Sequence, residues 1–441
     1  MSPSLPLKAC LPCLALAMAL SGCATTGRYA GDDTGPEPRY FLILGEPEAF
    51  SDTYPPSAPS APRQIGFATV LYTLKTPREA LAEQVNAALD KAEGTGYPVF
   101  FHLDDWNFPD TWDNPAMVEW TGFPEPGEAY GPPVRRRWLN WGSWIVTPPP
   151  PNFESPAFRA LLRDRVANGV ATPIAERLRR WAETGQTHLF AGMAVGWETG
   201  FYTAPAVDLA NPPTADGQTF EAGEQVRTGY AALSARGENE ASIAREARQR
   251  GVTTERALFE RMADVLHDYT EFLARTCHEA GIPSDRVYSH YAALETLLSP
   301  DLPTEAPPGE HPFRTTLRDH PALREELLLD GRMIPLDAAV NPYCRPGATV
   351  ASCCCDLDRV VEVFEDAGRS AWGAVEIEIT ADMREADAIE RYFERMTTRG
   401  ARVICLYGWW EDADNPYCVR STGAVEAIAR WLCGAEASGE H

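Results

Sequence analysis

The sequence predicts an α/β fold, a (β/α)8 barrel (TIM barrel) with long insertions in the loops that follow the strands. Strand-like apolar runs and amphipathic helices alternate about eight times along the chain, which favours a parallel sheet. The alternating part covers roughly 370 of the 441 residues, a length that suits one barrel with insertions. No glycine-rich phosphate loop follows the first predicted strand, which disfavours the competing doubly wound open sheet.

The predicted strands are apolar runs bounded by glycine, proline or charged residues. Several of them end in acidic, amide or aromatic residues, and in a barrel of this kind such strand ends form the site. In chain order the runs are residues 65–72, 97–106, 137–146, 191–198, 286–291, 336–343, 370–380 and 403–410.

The predicted helices are recognised by their caps and by apolar residues at helical spacing. Residues 76–79 read as a capping box with proline at the first helical position, and Gly94 and Gly96 end that helix. Residues 203–250 are polar and predict an insertion over the strand ends. The other helices are predicted at residues 155–180, 254–279, 356–367 and 385–399, with a last one ending at Trp431.

Composition limits the class of ligand. Hydrophobic residues make up 44% of the chain and aromatic residues 10%, so the sequence can form a substantial core. The formal net charge is −24, which excludes the basic footprint that nucleic-acid binding requires. The composition therefore favours an uncharged ligand or an acidic surface exposed to water.

The amino terminus predicts export and a lipid anchor. Lys8 precedes a short apolar run at residues 11–20, which is too short to span a bilayer. The sequence Leu-Ser-Gly-Cys ending at Cys23 resembles the bacterial lipobox, which implies a signal peptide at residues 1–22 and a lipidated Cys23. Ala24 implies sorting to the outer membrane by the same resemblance. The alternative is an ordinary secretory signal cleaved near Ala24.

A flexible tether is predicted at residues 23–62, because this stretch is rich in Pro, Gly, Ser and Asp. Residues 40–44 form a strand-like island within it. The predicted barrel domain follows at residues 63–435.

The cysteine count suggests disulfides in an exported protein. Of the 11 cysteines, eight remain after the signal and the lipidated residue are set aside, which is an even number. Proximity along the chain favours pairing of Cys344 with one of residues 353–355, and pairing among Cys405, Cys418 and Cys433. The spacing of the Cys triplet is not that of a zinc site, and no metal ion or other cofactor is expected.

Two distant strand ends carry the candidate catalytic carboxylates. Glu198 ends the fourth predicted strand, and Glu376 and Glu378 end the seventh. A carboxylate at the end of a buried strand is costly unless it is paired or has a function. Two facing carboxyl groups are the minimum equipment for cleaving a glycosidic bond.

This arrangement resembles the clan A retaining glycoside hydrolases, in which a Glu after strand four is the acid/base and a Glu at the end of strand seven is the nucleophile. By this resemblance Glu198 is the acid/base. Glu376 is the preferred nucleophile, because Val-Glu-Ile-Glu at residues 375–378 is similar to the Glu-x-acid pattern of some xylanases of that clan. Glu378 remains the alternative. Trp197 stands where the clan usually has an Asn.

The remaining strand ends supply candidate sugar-binding groups. Aromatic faces pack on the apolar face of a sugar ring, and polar side chains bind its hydroxyls. The predicted substrate-binding residues are His102, Asp104, Asp105, Trp106, Asn140, Trp141, Trp197, His290, Tyr291, Asn341, Tyr343, Trp409 and Trp410.

These observations are consistent with three hypotheses about function. The first is a surface-anchored glycoside hydrolase, whose partners are a carbohydrate substrate and, through the lipid only, a membrane. The second is a carbohydrate-binding lipoprotein without activity, which the missing Asn before Glu198 favours. The third is a metal-dependent hydrolase using His102, Asp104 and His290, although no HxH or HExxH motif is present.

Overall fold

The computed structural model contains a closed barrel of eight parallel strands, which confirms the predicted (β/α)8 fold. The residues that the structure describes belong to one compact unit. The structure describes residues 38–105, 114–134, 137–140, 144–197, 199, 201, 204–205, 225–226, 228–293, 338–342, 372–377, 379, 385–410 and 420–434.

The strands of this part of the chain are short and, in the barrel, largely apolar. In chain order they are β1 (Arg39–Leu44), β2 (Arg63–Tyr72), β3 (Val99–Asp104), β4 (Arg137–Asn140), β5 (Trp144–Thr147), β6 (Phe190–Val195), β7 (Ala204–Pro205), β8 (Gln225–Val226), β9 (Val287–Ala293), β10 (Ala338–Pro342), β11 (Trp372–Ile377) and β12 (Ala401–Leu406). The barrel runs β1–β2–β3–β6–β9–β10–β11–β12 and closes where β12 pairs with β1. Two antiparallel pairs, β4–β5 and β7–β8, lie outside it.

Two strand predictions are wrong, but together they leave the numbering of the fourth and seventh barrel strands unchanged. Arg39–Leu44, placed in the tether, is the first barrel strand and pairs with both β2 and β12. The stretch at residues 137–146, predicted as the third barrel strand, is the β4–β5 hairpin. The predicted tether at residues 23–62 therefore wrongly includes the first barrel strand. Position 198 still follows the fourth barrel strand, and Glu376 still lies in the seventh.

The predicted helices that fall within the described ranges are present in the structure, and the one predicted at residues 356–367 lies outside those ranges. Residues 230–235 and 240–250, in the predicted insertion, also form helices. The helices of the described chain are α1 (Arg78–Thr95), α2 (Pro156–Asp164), α3 (Thr172–Thr184), α4 (Tyr230–Ala235), α5 (Glu240–Arg250), α6 (Thr254–Glu279), α7 (Ala386–Thr398) and α8 (Thr422–Cys433). The predicted long helix after Ser155 is divided into α2 and α3 by a π-helical segment at Arg165–Ala171. The predicted capping box of α1 is wrong, because Pro77 is the N-cap and no side chain caps the helix.

Alternation along the strands separates two apolar layers. Side chains that point into the barrel form an inner cluster of Tyr40, Leu42, Ala68, Phe100, Ala191, Ala194, Tyr288, Val375, Val403 and Cys405. Side chains of the opposite faces pack against the helices in a larger outer cluster, to which Phe41, Ile65 and Ile404 belong. The barrel is therefore filled, and its strand ends are the place for a site.

The described cysteines do not form the expected pairs. Cys433 is an exposed free thiol at the end of α8, and Cys277 is a buried free thiol on α6. The predicted pairing of Cys405 with Cys433 is wrong, because Cys405 is buried inside the barrel whereas Cys433 faces outward. Cys344, Cys418 and residues 353–355 lie outside the described ranges.

The predicted signal peptide and Cys23 also lie outside those ranges. Among the residues that are described, no helix combines the length and the apolar character that crossing a bilayer requires.

Candidate active site at the carboxyl ends of the barrel strands

The predicted site residues divide into three groups. Glu198, Glu378, Trp106, Trp141 and Tyr343 lie outside the described part of the chain. A second group is described by its backbone only, in β11, β4, β9 and β10, and comprises Glu376, Asn140, Tyr291 and Asn341. The third group has described side chains and comprises His102, Asp104, Asp105, Trp197, His290, Trp409 and Trp410.

The barrel order brings the carboxyl ends of β6 and β11 to one rim. Trp197 follows β6, and the next residue in the chain is Glu198, whereas Glu376 lies in β11. Strands β6 and β11 are separated by β9 and β10 in the ring of eight, so their ends lie across the barrel mouth from each other. Asn140 is the last residue of β4, in the β4–β5 hairpin outside the barrel. Its predicted place at the end of a barrel strand is therefore wrong.

The strand that carries Glu376 is irregular next to that residue. Ala374 pairs with Ile404 and Ile377 pairs with Leu406, so the two residues 375 and 376 of β11 lie opposite the single residue 405 of β12. One extra residue in a strand is a β-bulge, a device that often occurs beside active sites. The backbone of β11 therefore departs from regular alternation where the candidate nucleophile lies.

Two histidines and one tryptophan pack together below the strand ends. His102 on β3 and His290 on β9 have ring centroids 6.2 Å apart, and Trp197 lies 5.0 Å from the first and 5.6 Å from the second. Burial lowers the pKa of His102 to about 3, and burial together with His102 lowers the pKa of His290 well below its usual range. Both rings are therefore neutral at physiological pH.

Both histidines, which the sequence predicts to bind a sugar, are buried in the structure. His102 is 1% exposed and His290 is 5% exposed. The Cys405 thiol lies inside the barrel with its Sγ 3.7 Å from His102 Nε2. The structure thus favours a supporting role for the His pair, under Trp197.

Asp105 joins the ends of β3 and β6. Its Oδ2 accepts a hydrogen bond from the Gly196 N–H at 2.7 Å. The Tyr269 hydroxyl on α6 lies 2.8 Å from the backbone oxygen of Asp105 and 3.1 Å from its Oδ1. Asp104 and Asp105 are both fully buried, so the predicted sugar contact of Asp105 is replaced by contacts within the protein.

The contacts of Asp105 are best satisfied when its carboxyl group is protonated. A phenol has one hydrogen, so Tyr269 can donate to only one of the two oxygens at a time. If Asp105 carries a proton, it donates to the phenol oxygen while Tyr269 donates to the backbone carbonyl. Burial, with Asp104 adding to it, raises the pKa of Asp105 to about 8, which agrees with this arrangement.

Asp105→Asn is expected to flatten the dependence of stability on pH. The folded pKa of about 8 lies above the ordinary 3.8, so the contribution of this group is full below pH ~4 and is lost as pH rises towards 8. The slope is on the order of 1 kcal/mol per pH unit. Other titratable groups that influence this cluster are Asp104, Tyr269 and Cys277.

Urea denaturation between pH 5 and pH 8 measures this slope, with the exposed Asp52→Asn as the matched control. Asn can accept from the Gly196 N–H and donate to the phenol, so the variant should fold. Parallel curves for the wild type and Asp105→Asn would contradict the assignment.

Glu119 is a buried carboxyl group that sequence reasoning missed. Its Oε2 accepts from the backbone N–H groups of Gly229 at 2.9 Å and Ala231 at 3.0 Å, and its Oε1 accepts from Ala232 at 3.2 Å. Gly229 is the N-cap of α4 and has no side chain to bond these amides, so Glu119 does so from a loop that follows β3. Glu119 thereby fastens the loop after β3 to the insertion after β6.

Aromatic side chains follow β12. Trp409 is 8% exposed and lies in the outer cluster, whereas Trp410 is half-buried and its ring lies 5.7 Å from that of Tyr407. Tyr407 is 39% exposed, and its N–H donates to the Ile377 backbone oxygen at 3.0 Å. The exposed aromatic surface next to β11 is therefore formed by Tyr407 and Trp410 rather than by the predicted Trp409.

A metal centre finds no support in this part of the chain. Among the residues that the structure describes, no three His, Cys, Asp or Glu side chains come together in a way that could hold a metal ion. The hypothesis of a metal-dependent hydrolase with His102, Asp104 and His290 as ligands is therefore not supported.

The chain is similar to solved structures but not to protein-family models or curated proteins. No protein-family model matches the chain, and no curated protein matches it. An intracellular xylanase from Thermoanaerobacterium saccharolyticum has a similar structure, with a TM-score of 0.39, 10% identity and coverage of 90% of this chain and 99% of the xylanase. Its complex with xylotetraose gives a TM-score of 0.40, 10% identity and coverage of 89% and 95%. A GH10 protein from Paenibacillus barcinonensis gives 0.36, 11%, 92% and 97%. The (β/α)8 assignment itself stands on the strand pairing of this chain.

Proposed function

We propose that this protein is a glycoside hydrolase that cleaves O-glycosidic bonds of an oligo- or polysaccharide with two glutamates. The observation that carries the proposal is the closed parallel barrel, in which the chain reaches Glu198 directly after β6 and contains Glu376 in β11. Carboxyl ends of barrel strands are where enzymes of this fold place their catalytic groups. The bulge of β11 beside Glu376 is a further support.

The proposed roles are those that the resemblance to the clan A retaining glycoside hydrolases implies. Glu198 is the general acid and later the base, and Glu376 is the nucleophile, with Glu378 as the alternative. In a retaining enzyme the two carboxyl groups lie about 5–5.5 Å apart, and water then hydrolyses the glycosyl-enzyme intermediate. The exposed ring of Tyr407 and the half-buried ring of Trp410 beside it suit the apolar face of a sugar.

A panel of substrates tests the activity. The mature protein is incubated with 4-nitrophenyl α- and β-glycosides of xylose, glucose, galactose and mannose, and with xylan, cellulose and mannan. We expect release of nitrophenol or reducing sugar from at least one of them, and its loss in Glu198→Gln and Glu376→Gln. Turnover at the wild-type rate in both variants would contradict the two-glutamate mechanism.

Trp197 favours a second candidate, a carbohydrate-binding lipoprotein without activity. Its ring is 6% exposed and packs on His102 and His290, so it does not offer the hydrogen bond that an Asn before the acid would give to a sugar hydroxyl. Calorimetric titration with the same polysaccharides separates the two candidates. Binding without any turnover would favour the second.

We also propose that Cys23 carries a lipid that anchors the protein in the bacterial envelope, at the outer membrane. The support is the lipobox-like sequence before Cys23 and the apolar run before it. Cys23→Ala is expected to abolish incorporation of labelled palmitate and to move the protein from the membrane pellet to the soluble fraction. Cys10→Ala is the matched control and should leave both unchanged. Labelling that persists in Cys23→Ala would refute the anchor.

A further inference from the structure

We propose that Asp105 and Tyr269 are positioning residues, which hold the chain that carries the general acid against the end of β3. This inference rests on the proposed function, because it takes Glu198 as that acid. Neither side chain contacts a sugar in this proposal, since Asp105 and Tyr269 are both fully buried. They act through the backbone of Gly196 and Trp197.

The segment before Glu198 is fixed at two successive amides. The Gly196 N–H donates to Asp105 Oδ2 at 2.7 Å, and the Trp197 N–H donates to the Leu103 backbone oxygen at 3.3 Å. Gly196 has φ +73°, a left-handed conformation that glycine adopts readily. Beyond position 198, the Thr199 N–H donates to the Gly196 oxygen at 3.2 Å, so Gly196 is bonded through its N–H to Asp105 and through its oxygen to Thr199.

Asp105 is in turn held by α6. The Tyr269 hydroxyl lies within hydrogen-bond distance of both the backbone oxygen and Oδ1 of Asp105. The Tyr269 ring is stacked on Phe153, with centroids 4.2 Å apart and planes at 25°, and also contacts Phe158. A stacked, buried ring has little freedom to move, so its hydroxyl is a fixed reference point for the end of β6.

Holding the general acid in position affects the rate of proton donation. A general acid accelerates its step only when it lies within hydrogen-bond reach of the leaving oxygen. A displacement of about 1 Å can lower the rate about 100-fold. Loss of the Asp105–Tyr269 contact should therefore impair proton donation specifically, while the bound sugar and the nucleophile on β11 are unaffected.

The leaving group of the substrate provides the test. A methyl glycoside needs protonation of its leaving oxygen, whereas a 2,4-dinitrophenyl glycoside does not, and both carry the sugar cleaved fastest in the 4-nitrophenyl panel. We expect Tyr269→Phe and Asp105→Ala to lower kcat/KM about 10- to 100-fold for the methyl glycoside and less than about 3-fold for the dinitrophenyl glycoside. Asp105→Asn should restore most of the loss, because its amide reproduces both contacts.

Matched variants make the outcome specific. Tyr97→Phe removes another buried hydroxyl, which donates to the Tyr54 oxygen at 2.6 Å near the start of β3, and should leave both substrates unaffected. Glu198→Ala should show the same selectivity for leaving groups with a larger loss. If Glu198→Ala shows the selectivity and Tyr269→Phe does not, the positioning proposal is overturned and the glycosidase proposal stands.

Hydrogen exchange tests the contact without any activity. The amides of Gly196 and Trp197 should exchange at least about 10-fold faster in Tyr269→Phe than in the wild type or Tyr97→Phe. Unchanged exchange at these two amides would overturn the positioning role. Faster exchange together with a Glu198→Ala variant of full activity would instead overturn the assignment of Glu198, and with it this inference.

Discussion

Glu376→Ala is expected to lower kcat by about 10⁴-fold, a loss of about 5.5 kcal/mol in transition-state stabilisation. The reason is that a nucleophile that forms the covalent intermediate has no substitute in the site. Azide is small enough to occupy the space left by the carboxylate and should restore turnover of an activated aryl glycoside. The measurement is kcat with and without azide, together with the configuration of the glycosyl azide formed.

Two further variants serve as a control and as a test of the alternative nucleophile. Glu83→Ala, at an exposed position of α1, is the matched control and should retain full activity. Glu378→Ala decides between the two neighbouring candidates. If the large loss and the rescue by azide occur there and not at Glu376, the nucleophile is Glu378. If neither variant loses activity, the double-carboxylate mechanism is wrong.

Glu119→Ala is expected to lower the free energy of unfolding by about 3 kcal/mol. Three buried backbone N–H groups at Gly229, Ala231 and Ala232 lose their acceptor, and each unsatisfied donor costs about 1–3 kcal/mol before the structure relaxes. Urea denaturation at neutral pH measures the change. A value within ~0.5 kcal/mol of the wild type would contradict the anchoring role.

The control for Glu119 comes from the same loop. Glu128 is exposed, so Glu128→Ala should change stability by less than ~0.5 kcal/mol. Limited proteolysis adds a local readout, because loss of the anchor should expose the chain near α4 to cleavage before the barrel strands. Equal cleavage in both variants would show that the contact does not hold the insertion in place.

The fold class followed from the sequence because several barrel strands are apolar runs that alternate along the chain with apolar residues at helical spacing. The position of the first strand did not, because Tyr40–Leu44 lies among prolines and resembles an island in a tether. The run at residues 137–146 has the same apolar character as a barrel strand. Only its pairing, antiparallel within a hairpin, distinguishes it.

The site was predicted less completely than the fold. His102 and His290 were placed at the correct strand ends, but whether such a side chain reaches the surface depends on its depth in the barrel, which sequence does not record. Glu119 and Tyr269 act over 110 and 164 residues of chain, and hydrogen bonds at such separations leave no local pattern. Tyr269 lies in the helix predicted at residues 254–279, and nothing in the local sequence indicates its contact with Asp105.

The position of β1 has a consequence for how this molecule is assembled. The seam of the ring joins Tyr40 to Val403, residues from nearly opposite ends of the chain. Until β12 is available, β1 and β11 present unpaired edges, which are templates for pairing with other chains. A polypeptide that is synthesised amino terminus first therefore cannot close this ring until residues 401–406 are available.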